Sequence, residues 1–209
     1  IYAHKGVSMM SVTVHGAAGH SSDPSLGNNA LATMHSVMGA LMVFREELAH
    51  QHQDPGFTVQ VPTLNLGCMR AGDNPNRICG HAELQIDLRL LPGMDSDAVH
   101  RQLGQRCQEA AAGSNTHLTV STAYPPVPPF ESPADGDLTV TLSKLSGHAP
   151  GTVAFGTEAH FLQTLGMQTA VWGPGSIDQA HQPNEYLEHA HIQPAIGTLQ
   201  QIISRYCQA

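Results

Sequence analysis

From His81 to Leu91 apolar and polar side chains alternate without a break: Ala82, Leu84, Ile86, Leu88 and Leu90 point one way, Glu83, Gln85, Asp87 and Arg89 the other. That period belongs to a strand in a sheet with one buried face. Ser8 to Gly16 repeats it, with Met10, Val12 and Val14 opposite Met9, Ser11, Thr13 and His15. Between them, Asn29 to Leu48 sets Leu31, Met34, Met38, Leu41, Met42 and Leu48 at helical spacing. Phe57 to Arg70 reads as a further strand region whose apolar register switches at Pro62, which argues for an edge strand or a bulge. After Pro92-Gly93, Asp95 or Ser96 can cap a helix carrying Val99, Leu103 and Cys107, and His117 to Tyr124 alternates again.

The order is strand, helix, strand, strand, helix, strand, which is the split βαβ, ferredoxin-like arrangement with both helices on one face. The other face is left uncovered unless a partner covers it. YPPVPPFESP, Tyr124 to Pro133, can continue neither helix nor ladder and reads as a linker. Beyond it, Leu138 to Leu145 looks helical, Gly151 to Phe155 a short strand, Glu158 to Leu165 a helix closed by Gly166, Gln168 to Trp172 an apolar strand, and His191 to Tyr206 an amphipathic helix. This αβα alternation has too few strands for a complete sheet, whose remainder is expected to precede Ile1.

With 9 Lys and Arg against 17 Asp and Glu, a formal charge of -8 and no basic stripe, nucleic acid and anionic membrane are disfavoured partners. A small molecule is favoured. No apolar run approaches the ~20 residues of a membrane span. Cys68, Cys79, Cys107 and Cys207 form no Cys-x-x-Cys pair, which fits a reducing cytoplasm. The 14 histidines suggest metal ligation or proton transfer.

Three segments carry candidate chemistry. In GPGSIDQAHQPNEYLEHAH, Gly173 to His191, an apolar strand running into Gly-Pro-Gly delivers His181, a candidate metal ligand or a cap on a loop turn. In GHSSDP, His20 lies on a loop where it can face a ligand, although Ser-Asp-Pro also makes an ordinary turn. In NPNRICG and IDLRLLPG, Asn76 and Arg77 form a tight turn. Arg89 projects from the polar strand face, suited either to a substrate carboxylate or to a surface pair with Asp87 or Glu83. His52-x-Asp54 and Glu46-Glu47 imitate metal and acid-base sites but lie in a helix tail and on a polar helix face, and are set aside.

AHKG, GHSSDP with NNA, PTLNLG, NRIC, IDLRLLPG, GTEAHFLQTLG and GPGSIDQAHQPNEYL, in this order, resemble the C-terminal half of the dinuclear zinc deacylase family. That family contains amino-acid deacetylases, aminoacylase, succinyl-diaminopimelate desuccinylase and glutamate carboxypeptidases. The resemblance implies an α/β protein: residues 1–7 end a preceding catalytic segment, 8–124 form a ferredoxin-like lid that makes a homodimer through its helices or edge strand, and 125–209 complete a zinc-peptidase-like αβα domain. It implies a zinc ligand at His181 and an oxyanion donor at His20 reaching a partner's active site. Asn76 and Arg89 are then expected on the substrate carboxylate, with Thr157 in a substrate loop and Glu158 near an amine. Two zinc ions per complete subunit, or cobalt in their place, are implied, with the remaining ligands outside these residues. The implied reaction is hydrolysis of N-acetyl-L-ornithine to ornithine and acetate in arginine synthesis. The alternatives are another acylamino-acid substrate or an inert dimerisation fragment.

Overall fold

The alternating stretches become strands and the 3.6-period stretches become helices. The computed structural model describes residues 1–208. In chain order the elements are β1 (Ala3–His4), β2 (Gly6–His15), α1 (Ala30–Gln51), β3 (Thr63–Ala71), β4 (His81–Leu90), α2 (Ser96–Ala111), β5 (His117–Thr122), β6 (Phe130–Glu131), α3 (Asp137–Ser146), β7 (Thr152–Val153), α4 (Ala159–Thr164) and α5 (His189–Tyr206). They fall into two compact units, one of His4–Pro129 with Ala154–Gly156, the other of Ile1–Ala3, Phe130–Val153 and the described residues from Thr157 on.

In the first unit β3, β4, β2 and β5 lie in that order in one antiparallel sheet. This is the ferredoxin-like order produced by two right-handed crossovers, with the helices on one face. The inward residues Val12, Val14, Ala82, Leu84 and Leu88 are all but inaccessible, as are Met34, Val37, Leu41 and Phe44 of α1 and Leu103 and Cys107 of α2. Each full-sized apolar side chain so buried contributes about 1.5–3 kcal/mol against leaving it in water. Burial pushes the Cys107 thiol up to about 12, which makes it an inert filler. Asn29 caps α1 by accepting from the Leu31 and Ala32 N–H groups, and Asp95 caps α2 by accepting from Ala98. The outward face carries Ser11, Thr13, His15, Glu83, Gln85, Asp87 and Arg89, so it is polar and requires no apolar cover.

Four local expectations are corrected in this unit. The strand expected from Phe57 begins only at Thr63: Pro62 has no N–H to give a ladder, and Phe57 instead is buried beside Lys5. The irregularity of edge strand β3 falls between Leu66 and Cys68, at Gly67, rather than at Pro62. The stripe that α1 buries is Met34, Val37, Leu41, Phe44 and Leu48, while Leu31 and Met42 remain in solvent. The Pro-rich stretch, within which the two units divide, does enter ladders: Val127 and Val7 exchange backbone hydrogen bonds at 2.8 and 2.9 Å, and Phe130–Glu131 form β6.

Lys5 is 1% exposed. Its Nζ donates to the Val61 carbonyl at 2.6 Å and lies 5.8 Å from the centre of the Phe57 ring, pinning the 52–62 loop. Burial lowers its pKa, the Arg89 charge acts in the same direction, and Asp54 opposes them.

The second unit has a three-stranded sheet in the order β6, β1, β7 with strands of two residues, together with α3, α4 and α5. Gln168 to Trp172, expected as a strand, joins no ladder. It is held by one reciprocal pair, Val171 N–H to Ile1 at 3.0 Å and the Ile1 amine to Val171 at 2.8 Å. Extended backbone needs neighbours on both sides to become an interior strand, and here it has one. Tyr206 and Arg205 of α5 both reach Asp137 at the start of α3. Among the described residues no helix is long and apolar enough to cross a membrane.

Candidate functional site

The loop joining β2 to α1 is locked against the turn that precedes β4. Gly16 N–H bonds Gly80, Ala17 and Asn28 exchange two hydrogen bonds, and Ile78 N–H donates to Gly19 at 2.8 Å. The approach is close enough to demand glycine. A Cβ at Gly16 would sit 1.9 Å from the Asn28 carbonyl oxygen, and one at Gly27 2.3 Å from that of Ala17. His20 is thereby bridged to Arg77, and the Ser21 N–H donates to the Asn76 carbonyl at 3.0 Å. The two sequence-predicted residues His20 and Asn76 thus stand on one rim at the same end of the sheet.

The His20 ring is exposed, with Nδ1 2.7 Å from Ser22 Oγ and 3.3 Å from the Ser22 backbone nitrogen. A backbone N–H can only donate, so Nδ1 is the acceptor and the neutral ring carries its proton on Nε2. The ring is therefore a pre-set hydrogen-bond donor. Asp23 holds the following turn, accepting from Ser25 N–H and Oγ–H at 3.0 and 2.6 Å, and these bonds keep its carboxyl below the usual range. Asn76 follows an Asn74 turn, and its side-chain amide makes no hydrogen bond among the described residues. Its neighbour Arg77 is engaged by Asp73 at 2.5 Å.

Arg89 lies near the far end of β4. Eight residues separate it from His81, or about 26 Å at a rise of about 3.3 Å per residue. One chain therefore cannot bring Arg89 and Asn76 to the same carboxylate, a separation that follows from the unbroken strand between them. The surface-pair alternative is realised in part: Arg89 Nε lies 2.9 and 3.0 Å from the two Asp87 oxygens. Only Nε is used, which leaves the terminal nitrogens free to take a carboxylate end-on.

His181, Thr157 and Glu158 belong to the second unit. His181 is exposed and sits beyond a short 3-10 turn, Ile177–Gln179, rather than at the tip of a strand. Its φ is +63°, and among the described residues only Asn115 is another non-glycine in the left-handed region. Such a conformation costs of order 1 kcal/mol or more and recurs at functional turns. The Glu185 carboxylate accepts the His181 backbone N–H at 3.2 Å and fixes that turn, a role the His-to-Glu spacing in HQPNE could have suggested. Thr157 Oγ1 accepts from Ala159 N–H at 3.2 Å, and Glu158 is exposed at the start of α4. No group of three or more His, Cys, Asp or Glu is gathered to hold a metal ion among the described residues. The residues present therefore do not make a zinc pair, and His181 is a single ligand at most. The discounted motifs are structural: Glu46 pairs with Arg45, Glu47 with Arg106, and Asp54 closes a turn on Gly56. Sequence reasoning missed Lys5, because a single Lys after an apolar strand reads as a solvated end.

Comparison with known proteins adds a family and a fold. The family model described as the peptidase dimerisation domain matches residues 2–115. Acetylornithine deacetylase of Aliivibrio fischeri (strain MJ11) is 41% identical over 207 residues, covering 99% of this chain and 54% of that protein. The enzyme of the same name from Klebsiella pneumoniae (strain 342) is 42% identical over the same share of each. The chain therefore spans about half the length of the curated relatives it matches. Among solved structures, a tripeptidase from Staphylococcus aureus superposes with a TM-score of 0.72 at 17% identity, covering all of this chain and 54% of that one. A di-peptidase from Saccharomyces cerevisiae gives 0.70 at 15% identity, covering all of this chain and 56% of that one.

Proposed function

The chain belongs to the peptidase dimerisation domain family, and from that premise we propose that it is the dimerising part of an amide hydrolase that converts N-acetyl-L-ornithine to ornithine and acetate. The observation that carries the proposal is the His20 loop. An exposed imidazole, held by Ser22 through Nδ1 so that Nε2 carries the proton, on a glycine-locked rim beside an unbonded amide, is built to donate to an oxygen that is not its own. The names of curated relatives 41 and 42% identical to this chain support the substrate. N-succinyl-diaminopimelate is the competing substrate, since a free guanidinium edge recognises the carboxylate rather than the acyl group.

In this reading each active site draws on two subunits. His20 and Asn76 of one protomer enter the site of its partner, which supplies its own Arg89. The 26 Å or so between the two ends of β4 then becomes a requirement for the homodimer. The terminal nitrogens of Arg89 and the Asn76 amide hold the α-carboxylate. His20 Nε2–H donates to the carbonyl oxygen as it becomes an oxyanion, and the Thr157–Glu158 loop faces the ornithine side chain, with Glu158 near its amine. His181 provides one ligand of a zinc or cobalt pair whose other ligands lie outside these residues, so the isolated chain does not turn over substrate. Four unpaired cysteines support a cytoplasmic setting.

The test is made in the full-length enzyme. His20→Ala lowers kcat on N-acetyl-L-ornithine about 100 to 1000-fold with little change in KM, the usual result of removing one oxyanion donor. A normal kcat sinks the reading. Mixing His20→Ala with Arg89→Ala subunits restores activity through the half of the mixed dimer that keeps both groups.

A further inference from the structure

Lys5 is buried at the Arg89 end of the sheet, and the amide-hydrolase reading gives it no part. In the ladders Val7 stands opposite Arg89 and Arg89 opposite Thr63, so these three share a row on the outward face. One step beyond the β2 ladder, Lys5 falls opposite Leu91 and diagonal to Arg89, a backbone separation of about 7–8 Å. Val61 lies two residues before Thr63 on the far side of β4, and Lys5 Nζ donates to its carbonyl at 2.6 Å. The Lys5 stem therefore crosses β4 in the row next to that of Arg89. Phe57 closes over it, with its ring centre 5.8 Å from Nζ. Asp54 builds the turn that carries Phe57: its carboxylate accepts the Gly56 N–H at 2.8 Å and its carbonyl the Phe57 N–H at 3.3 Å. The charged groups acting on Lys5 are Arg89 of β4, Asp54 of this turn and, paired to Arg89, Asp87. Val7 and Met9 of β2 and Val127 of the crossing segment carry no charge, and the His4 ring directs Nδ1 to the Lys5 carbonyl at 2.9 Å.

We propose that Lys5 is a positioning residue for the substrate carboxylate: its ammonium, without touching the ligand, supplies the positive charge that Asp87 cancels at Arg89. The inference rests on the reading that places a carboxylate on Arg89. Arg89 Nε lies 2.9 and 3.0 Å from the two Asp87 oxygens, so the pair is neutral as a unit, and a second carboxylate approaching the terminal nitrogens is repelled by the first. A cation fixed beside the pair restores the attraction. Lys5 cannot take the carboxylate itself, since it is 1% exposed and Nζ is committed to Val61 and the Phe57 ring. Along β4 it stands on the opposite flank of Arg89 from Asp87. Repulsion from one side and the ion pair on the other therefore turn the guanidinium the same way. Anchoring the loop does not by itself call for a lysine. An apolar side chain would hold Phe57 without the cost of burying a charge, and an ammonium placed beside a guanidinium adds to that cost. Burial, and after it the Arg89 charge, lower the Lys5 pKa against the pull of Asp54, as expected of a charge kept where packing alone would remove it.

Steady-state kinetics on N-acetyl-L-ornithine in the full-length enzyme test the assignment. Lys5→Met keeps most of the stem and removes the charge. It is expected to raise KM about tenfold, the effect of one unit charge about 8 Å away in a partly solvated site, with a change in kcat of no more than about twofold. Lys5→Arg, which cannot deprotonate, keeps KM near the wild-type value. Because the Lys5 pKa is lowered, wild-type KM rises on alkalinisation before an ordinary lysine, at about 10.4, would titrate. Lys5→Arg loses that limb, while the substrate's own amine titrates alike in both enzymes. A mere loop anchor would show no such limb, since the uncharged amine still donates to Val61. Arg89→Ala separates the two levels. If it leaves KM unchanged, the carboxylate reading falls and this inference with it. If it raises KM while Lys5→Met does not, or if the alkaline limb persists in Lys5→Arg, this inference alone is overturned. Wild-type enzyme decides by itself where a variant does not fold: inhibition by the carboxamide of the substrate, which lacks the negative charge, should not weaken along that limb, and equal weakening for acid and carboxamide overturns the proposal.

Discussion

The two units solve the burial problem in opposite ways. In the first, a four-stranded sheet and two long helices close a layer of Val, Leu, Met and Phe side chains with almost no access to water, and the polar face of the sheet is left to solvent. In the second, three strands of two residues each leave little to pack against, and Ile192, Ile196, Leu199 and Ile203 form an apolar stripe along α5 that stays exposed, with Phe161, Leu165 and Met167 also in water. An amphipathic helix with its apolar stripe in solvent is half of an interface. The first unit therefore buries its apolar layer within itself, whereas the second leaves large apolar side chains in solvent.

The largest test of that contrast is a pair of truncations. Leu41→Ala, in the core of the first unit, is expected to cost about 2–5 kcal/mol, whereas Ile196→Ala on the α5 stripe should change stability by no more than about 0.5 kcal/mol. Chemical denaturation measures both, and equal losses would abolish the distinction. A smaller effect separates the helix starts. Asn29→Ala removes two side-chain hydrogen bonds from the α1 N-terminus and should cost about 1 kcal/mol. Glu188→Ala, at the start of α5, removes no cap bond and should cost almost nothing.

The smallest effect is electrostatic. His100 of α2 bonds Ser8 of β2 at 2.9 Å, and burial lowers its pKa below the ordinary value of 6.5, partly offset by Asp97. Between the lowered pKa and 6.5 the unfolded chain binds more protons than the folded one, so stability rises with pH across that window and falls on acidification. His100→Gln should flatten the pH dependence of Tm below 6.5. An unchanged profile would remove His100 from the account.

Legibility followed the same division. Where one element both alternates and packs, as in β4 and β2, the sequence period alone places every side chain on the correct face. Where an element depends on what lies beside it, the period misleads: Gln168 to Trp172 has a strand's composition and only Ile1 to pair with. Phe57 is apolar for the sake of a loop rather than a ladder. The α1 helix has apolar residues on two faces, and the sequence alone did not select which face is buried. For the site, His20 and Asn76 could each be singled out from local motifs. Their meeting depends on a backbone bridge between distant loops, whereas the distance to Arg89 is implicit in the unbroken alternation from His81 to Leu91. The left-handed turn at His181 has no sequence mark, since the residue there is not glycine.

The burial of Lys5 has a practical consequence. The chain contains only two lysines, Lys5 and Lys144. Lys5 is sealed under the Phe57 loop while Lys144 is exposed on α3. Of its lysine side chains the folded protein offers a lysine-directed reagent one, Lys144. A fluorophore, a cross-linker or a solid support attached through lysine would hold every molecule by the same point on α3, leaving the His20 rim and the polar sheet face unmodified.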